Sequence, residues 1–506
     1  MQFSYIRLAI PFICGMIGAN FFCDFITPLP IFVCSSAFLA IMFVIHFILK
    51  EGNVKKTLFI IAATLFATIL GAAIYTHHHH IIANSLPSDT TQCMGVLEEH
   101  PKEKAKSYQL KLKQANGTHI IIYAGKNKRN PQNDSAQYSS LCIGDTIRAR
   151  IKHLSATNKA EGQFAKYRTY LFHNDVCATA YTPPQQWSIS RRTTPPSLLE
   201  KLSSTSVLLH TVYEQHGIAG DEGSIIEAMT IGRKDNLTQQ IRTNYSASGV
   251  SHILALSGFH IGIITFILQL IFLSRITQLR WRWVANIAII ILLWVYATVT
   301  GLSPSIVRAT IMFSIIFLCH YNNRSVFTLN SCAIAATIML CINPFWLNSV
   351  GFQLSFISVA AISLYCKRIE SIIPNKNRIL SLILQIVVIS AVCSIATAPL
   401  VAYNFGIIPL LSILTNLAIY PLAFAIIAIA LLWWIFLWQE EINSTLTDIL
   451  IHLTSYMNSI TEWVSSLPFS SFEWHPSIVG VACSYLLLLL IHMLLSVIFG
   501  QKRILN

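Results

Sequence analysis

Apolar runs long enough to cross a lipid bilayer recur through this chain, and they restrict what it can fold into. A transmembrane helix needs about 20 predominantly apolar residues. Three such stretches open the sequence, at 6–22, 29–49 and 57–75, and eight more follow, at 250–274, 283–301, 304–321, 329–341, 349–366, 379–403, 408–438 and 479–499. Composition agrees, because 54% of the 506 residues are hydrophobic and only 11% are charged, whereas soluble domains carry about 25% charged residues. So little charge could not cover the surface of a soluble protein. The fold class is therefore a polytopic α-helical membrane protein. The first stretch has few charges before it and no small-residue cleavage site, so it reads as a retained helix and not a signal peptide.

Cationic loops set the expected orientation. The loop after the second stretch holds Lys50, Lys55 and Lys56 against Glu51, which places it in the cytoplasm, the amino terminus inside and the segment after Tyr75 outside. Later cytoplasmic loops hold Arg275, Arg280 and Arg282, then Arg324, then Lys367, Arg368, Lys376 and Arg378, while the loops near Gly301, Pro344 and Asn404 hold no Lys or Arg. Lys502 and Arg503 want the carboxyl terminus inside. That requires the amphipathic stretch 445–466 to span, or 408–438 to break into a re-entrant hairpin around Pro421.

Between the third and fourth stretches the composition changes. Residues 77–192 are polar and read as strands: Tyr108, Leu110 and Leu112 alternate with Lys111 and Lys113, and Asn116–Gly117 forms a two-residue hairpin turn before a returning strand. An OB-type β-barrel, which largely closes its own edges, is the expected architecture. The domains are then 1–76, amino-terminal helices; 77–192, an extracytoplasmic OB-type domain; 193–247, an extracytoplasmic helical connector; and 248–506, a transmembrane domain. The stretch 76–197 carries 16 Lys and Arg against 8 Asp and Glu, a net +8 that runs against the usual bias for an outside segment. Lys111, Lys113, Lys126, Lys128, Arg129, Arg148, Arg150, Lys152 and Arg168, with Tyr167 and other aromatics nearby, match the cation-plus-stacking pattern that holds single-stranded nucleic acid. Anionic lipid headgroups are the competing partner, and mere hydration is the structural alternative. Of the 12 cysteines, Cys93, Cys142 and Cys177 lie in this domain, and a Cys93–Cys142 disulfide is expected if it faces an oxidising compartment. No zinc-like spacing is present, and adjacent histidines His77–His80 point in different directions on a helix, so neither metal nor cofactor is expected.

Polar groups inside apolar segments are functional hypotheses by default. In His252-Ile-Leu-Ala-Leu-Ser257-Gly258-Phe-His260-Ile-Gly262, Ser257 and His260 share a helix face, and the glycines permit close approach. Gly301-Leu-Ser303-Pro304-Ser305-Ile-Val-Arg308 places an arginine one turn into a helix started by Pro304. Asn343-Pro344 leads into Gln353, Ser355 and Ser358, and Asn416 precedes Pro421. Each group either lines a wet path or serves as packing glue, snorkelling or interhelical hydrogen bonding.

These blocks resemble the ComEC competence family. HILALSGFHIG is similar to its H-x-LA-x-SG-x-H signature, GLSPSIVRATIM and NPFWLNSVGFQLSFISVAAI to two further blocks, AMTIGRKDNL (Ala228–Leu237) to a segment ahead of the first channel helix, and GQFAKYRTYL (162–171) to the end of its OB-type domain. The resemblance implies a channel in the bacterial cytoplasmic (inner) membrane that passes one DNA strand inward during natural transformation. Many members add a metallo-β-lactamase-like domain; this sequence has no HxHxDH pattern and ends seven residues after its last apolar stretch, so nuclease activity is not expected of it. The partners are then single-stranded DNA, membrane lipid, a separate nuclease, a periplasmic DNA receptor and a cytoplasmic motor or DNA-binding protein, since no P-loop is present. Two alternatives stay open: an intramembrane hydrolase built on Ser257 with His252 or His260, which needs an oxyanion hole, and a small-solute transporter.

Overall fold

The computed structural model describes residues 5–23, 27–48, 52–86, 91–99, 101–127, 138, 141–158, 165–184, 186–190, 198–273, 279–321, 328–370 and 378–501. Five of its helices are long and apolar enough to cross a membrane: Pro28–Ile48, Asn53–Ala83, Trp281–Val299, Arg378–Phe405 and Ser412–Ile435. Shorter apolar helices lie at Ile6–Phe22, Gly258–Leu273, Pro304–Cys319, Leu329–Ile342, Val350–Tyr365 and Ile478–Leu494. The chain packs as two units, Met1–Ser204 with Ala333–Ser349, and Thr205–Cys332 with Val350–Asn506.

In the first unit, helices Ile6–Phe22 and Asn53–Ala83 cross backbone to backbone. A Cβ on Gly15 would collide with the Thr68 carbonyl oxygen, and one on Gly71 with that of Phe12. Small residues at such a crossing let dispersion forces act between main chains, which is how helices associate where apolar burial gives no net drive. The strand domain follows. Its ladder runs β6 (His153–Ala156), β7 (Val176–Thr182), β4 (His119–Gly125), β3 (Ser107–Lys113), β1 (Gln92–Leu97), β5 (Thr146–Arg150) and β8 (Trp187–Ser190), with the short β2 (Lys102–Glu103) on β3. All pairs are antiparallel except β4 with β7. Alternation holds: Tyr108, Leu110 and Leu112 are buried, while Lys113 is exposed.

Three sequence expectations are corrected in this domain. The ladder ends on β6 and β8 and does not itself form a closed barrel; the chain bends at Ile151–Lys152 between β5 and β6. The β3–β4 connection is longer than two residues: Gln114 N–H donates to the Thr118 carbonyl at 2.8 Å, and Gly117 alone takes a positive φ, +84°. A two-residue I′ turn would need positive φ at both central positions; one left-handed glycine suits the three-residue loop instead. Finally, Cys93 and Cys142 are not joined by a disulfide, Cys93 being buried in β1 and Cys142 exposed, and the buried neighbour bonded to the same Gln114 side chain is Cys177.

The second unit is helical. Its core joins Tyr213, Ile225, Met229, Ile261, Ile289, Ile306, Ala423, Trp433 and Met457, drawn from helices spread over the whole unit. The expected crossing 250–274 is shorter than it reads: residues 250–257 form turns, and the helix occupies Gly258–Leu273. Ser412–Ile435 runs unbroken through Pro421, so no re-entrant hairpin forms there. Glu440–Ser466 is one amphipathic helix of 27 residues.

Candidate functional site

The helix Gly258–Leu273 begins with a side-chain cap from its third residue. The His260 ring Nδ1 accepts from the Ser257 backbone N–H at 3.3 Å and lies 3.0 Å from the Ser257 hydroxyl. A side chain at the third helical position reaching back to the capping residue satisfies a donor the helix itself cannot. This arrangement accounts for the Ser–His pair without catalysis. Because Nδ1 accepts from a backbone donor, the ring proton sits on Nε2. That nitrogen is buried without a hydrogen-bond partner.

Gly258 abuts Arg308. A Cβ at Gly258 would lie 2.9 Å from the Arg308 Nη2. Arg308 is 6% exposed, donates through Nη1 to the Ser355 carbonyl, and places its guanidinium 5.8 Å from the centre of the Phe356 ring. No ion pair to it exists among the described residues. The helix Pro304–Tyr321 that carries it starts after a sharp reversal, with Gly301 at φ +85° and Leu302 at φ +50°. Ser303 caps that start through its carbonyl, and Ser305 is half-buried beside it. A buried cation with no carboxylate is costly, so its field is available to an anion.

Further polar atoms in this unit are buried without partners: Arg308 Nε, Thr265 Oγ1, Thr310 Oγ1 and Asn416 Oδ1. They stand on helices Gly258–Leu273, Pro304–Tyr321 and Ser412–Ile435, the first of which packs against both others. Such orphans are satisfied by water or a passing polar ligand. His260 is fully buried and Asn416 4% exposed, while Ser257, Gly258 and Ser355 are half-buried.

The sequence-selected residues divide. Ser257, Gly258, His260, Arg308 and Ser355 come together. Gly262 does not crowd anything; its nearest neighbour is Phe313 Cζ at 3.9 Å. His252 is engaged by Tyr420, whose hydroxyl lies 3.3 Å from Nε2. Gln353 is half-buried on the helix Val350–Glu370. Asn343 belongs to the first unit: its side-chain amide donates to Asp175 Oδ2 at 2.6 Å, and Asp175 also holds His78 Nε2 at 2.7 Å. It is a structural clasp and does not join the Arg308 cluster.

Cations of the strand domain divide too. Lys111 lies 2.9 Å from Glu99 and 3.4 Å from Glu98, and Lys126 lies 2.5 Å from Glu103. Burial pushes the Glu98 carboxyl up, but the His119 hydrogen bond and the charges of Lys111 and His119 outweigh it and hold the group at about 2. Lys111 and Lys126 are each engaged by carboxylates of the same domain. In contrast, Lys113, Arg148 and Arg150 stand on one exposed face of β3, β1 and β5, beside Met94, Val96 and Ser188. Lys152 is exposed at the bend after β5. Tyr167, 44% exposed, shares a 2.7 Å hydroxyl contact with Tyr123 and stacks on Tyr170 at 6.4 Å, with Arg168 on the same short helix, Ala165–Phe172. Lys128 and Arg129 lie outside the described residues.

Sequence reasoning missed several groups. Glu227 is buried and lies 2.6 Å from His210 Nδ1; its signal was a carboxylate directly ahead of AMTIGRKDNL. Gly232, at φ +77°, sits where a Cβ would meet Leu256 at 2.9 Å and the Thr300 carbonyl at 3.2 Å, so three of the sequence blocks converge on it. Among the described residues, no group of His, Cys, Asp and Glu could hold a metal ion.

Comparison with known proteins places these blocks. The family model described as Competence protein matches residues 229–497. ComE operon protein 3 of Bacillus subtilis (strain 168) is 28% identical over 201 residues, covering 40% of this chain and 25% of that protein. An uncharacterized protein of Aquifex aeolicus (strain VF5) is 29% identical over 192 residues, covering 38% of this chain and 42% of that protein. The chain therefore matches less than half the length of these relatives. No solved structure matches it. A family match over more than half of its residues, centred on the segment that builds the Arg308 cluster, makes this chain a member of the Competence protein family, the ComEC family.

Proposed function

We propose that the protein is a multi-pass protein of the bacterial cytoplasmic membrane that receives DNA outside and passes a single strand inward. The observation that carries this reading is Arg308, a buried cation without a carboxylate partner among the described residues, set against the family-signature residues Gly258, Ser355 and Phe356, on helices that also bury polar atoms whose hydrogen bonds are unmade. Weak, repeated polar contact suits conduction better than tight binding. On this reading the cluster is a gate through which phosphates pass one at a time.

The strand domain is the receiving platform on the outer side. OB-type closure is supported by the parallel β4–β7 pair and by the bend after β5, where Ile151 N–H donates to Thr91 on the β1 side and Lys152 N–H donates to Tyr181 in β7. Treating β5 and β6 as one bent strand links β5, β1, β3, β4 and β7 into a ring, with β8 paired outside it. The Lys113–Arg148–Arg150 face meets phosphates, and Tyr167 with Tyr170 stacks bases. A separate nuclease, an outer-face DNA receptor and a cytoplasmic motor complete the system. The Ser257–His260 contact would favour a hydrolase, but the cap explains it.

The test is deletion, scored with labelled DNA. Cells lacking the protein should hold DNA at their surface and admit none to the cytoplasm. Normal entry in the deletion strain would refute the proposal.

A further inference from the structure

We propose that the helix Glu440–Ser466 crosses the bilayer with its outer face against water, and that this face borders the route of the transported strand. The last clause rests on the reading above; the first does not.

A small sheet fixes one end of this helix. Residues Ile407–Pro409 pair with Ser471–Glu473, through Ile407↔Glu473 and Pro409↔Ser471, and the ladder is extended by Leu410 N–H to Ser470 and Trp474 N–H to Gly406. The first strand immediately precedes the apolar helix Ser412–Ile435, and the second follows Glu440–Ser466. Both helices therefore have one end at the same level. Their other ends are joined by the short turn 436–439, locked by Trp433 Nε1 donating to Thr447 at 2.8 Å and Asn443 donating to the Trp433 carbonyl at 3.2 Å. The two helices pack along each other as an antiparallel hairpin. At 1.5 Å per residue they run about 36 and about 40 Å, against a hydrocarbon core of about 30 Å. Wherever the apolar member crosses, the other crosses with it. This also brings the carboxyl-terminal helix Ile478–Gln501 back to the side where Lys502 and Arg503 favour the cytoplasm.

Composition then says what the second helix faces. It is not apolar enough to count among the membrane-length helices. Its buried seam repeats every seven residues, with Thr447, Thr454 and Thr461 alternating with Leu450, Met457 and Val464. The opposite face is exposed and polar at mid-length, at His452, Ser455, Tyr456 and Ser459. Lipid satisfies none of those groups. Two crevices at the sheet end carry polar side chains among their lining residues. One, of about 170 Å³, is lined by Asp221, Asn244, Asn458 and Glu462 among others; the second, of about 370 Å³, includes Gln239, Arg242 and Ser471. Asp448 is exposed one turn before His452; from Ile449 to Ser459 the exposed face carries no carboxylate, and Glu440, Glu441 and Glu462 stand nearer the helix ends. A neutral, hydrated belt with one exposed tyrosine lets a polyanion slide without sticking.

The test uses the full-length protein in cell membranes, its native cysteines replaced. A membrane-impermeant maleimide should label His452→Cys and Ser459→Cys at least about tenfold faster than Leu432→Cys on the apolar helix, since the reagent needs a hydrated thiolate. In parallel, epitope tags inserted in turns 436–439 and 467–470, with the native cysteines kept, should be reached from opposite sides of the membrane. Unreactive mid-helix thiols, or both tags on one side, overturn the inference whatever the uptake phenotype. Unimpaired DNA entry in the deletion strain would instead sink the transport reading and leave the labelling result standing.

Discussion

Two glycines of one sequence block should respond oppositely to the same substitution. In Gly258→Ala, the new Cβ would sit 2.9 Å from Arg308 Nη2. Ordinary van der Waals contact begins at 3.4 Å, so the guanidinium must retreat by roughly half an ångström or more. The side chain is flexible, but its Nη1 is committed to the Ser355 carbonyl, and a hydrogen bond from a charged donor contributes about 1.5–3 kcal/mol. Because Arg308 can relax in part, Gly258→Ala should cost about 1–2 kcal/mol. In Gly262→Ala the nearest atom is Phe313 Cζ at 3.9 Å, which is ordinary contact. That position is inside a helix, where alanine is favoured over glycine by up to about 1 kcal/mol. The assay is thermal unfolding of each full-length variant in one detergent, paired with transformation frequency. Gly258→Ala should melt lower and transform less; Gly262→Ala should match or exceed the parent in melting and transform normally. Equal behaviour of the two variants, or damage confined to Gly262→Ala, would refute the packing argument around Arg308.

Three further outcomes follow from the strand domain. Arg148→Gln with Arg150→Gln should make the salt dependence of single-stranded oligonucleotide binding shallower by about 1.4 in log–log slope, about 0.7 for each phosphate contact removed, while Lys111→Gln leaves the slope alone and lowers stability by removing the cation that Glu98 and Glu99 share. His173 is held at about 4, chiefly by burial and secondarily by His79, against Asp175; the unfolded chain, with its histidine near 6.5, then binds the extra proton first, so melting temperature should fall as pH drops from about 6.5 toward 4 and stay flat above 7. Cys142 should react with a water-soluble maleimide in the native protein while Cys93 reacts only after unfolding, and mobility on gels should not change on reduction.

Much of the fold was legible, and what was lost has identifiable causes. Apolar length located the helices closely: the first runs Ile6–Phe22 as read, and 379–403 became Arg378–Phe405. It failed at 250–257, because an apolar turn and an apolar helix have the same composition, and the cap that starts the helix is a hydrogen bond between Ser257 and His260. Alternation placed Leu110 and Leu112 inside β3. It could not tell Lys111 from Lys113, since what separates them is a pair of glutamates far along the chain on a neighbouring strand end. Spacing identified Arg308 as unusual but gave no hint that Gly258 makes its space. Asn343 looked like Asn416, a polar group in an apolar run; one found Asp175 and the other has an oxygen without a partner.

The central claim is that the Arg308 cluster lies on the path of the strand. It is tested most directly by Arg308→Gln in cells supplied with labelled DNA, with the protein's membrane level confirmed. Surface-held label should stay at the parental value, and label protected in the cytoplasm should fall by roughly tenfold or more, as expected when a charged contact of about 1.5–3 kcal/mol is removed. Parental entry with Arg308→Gln present at normal levels would contradict the claim.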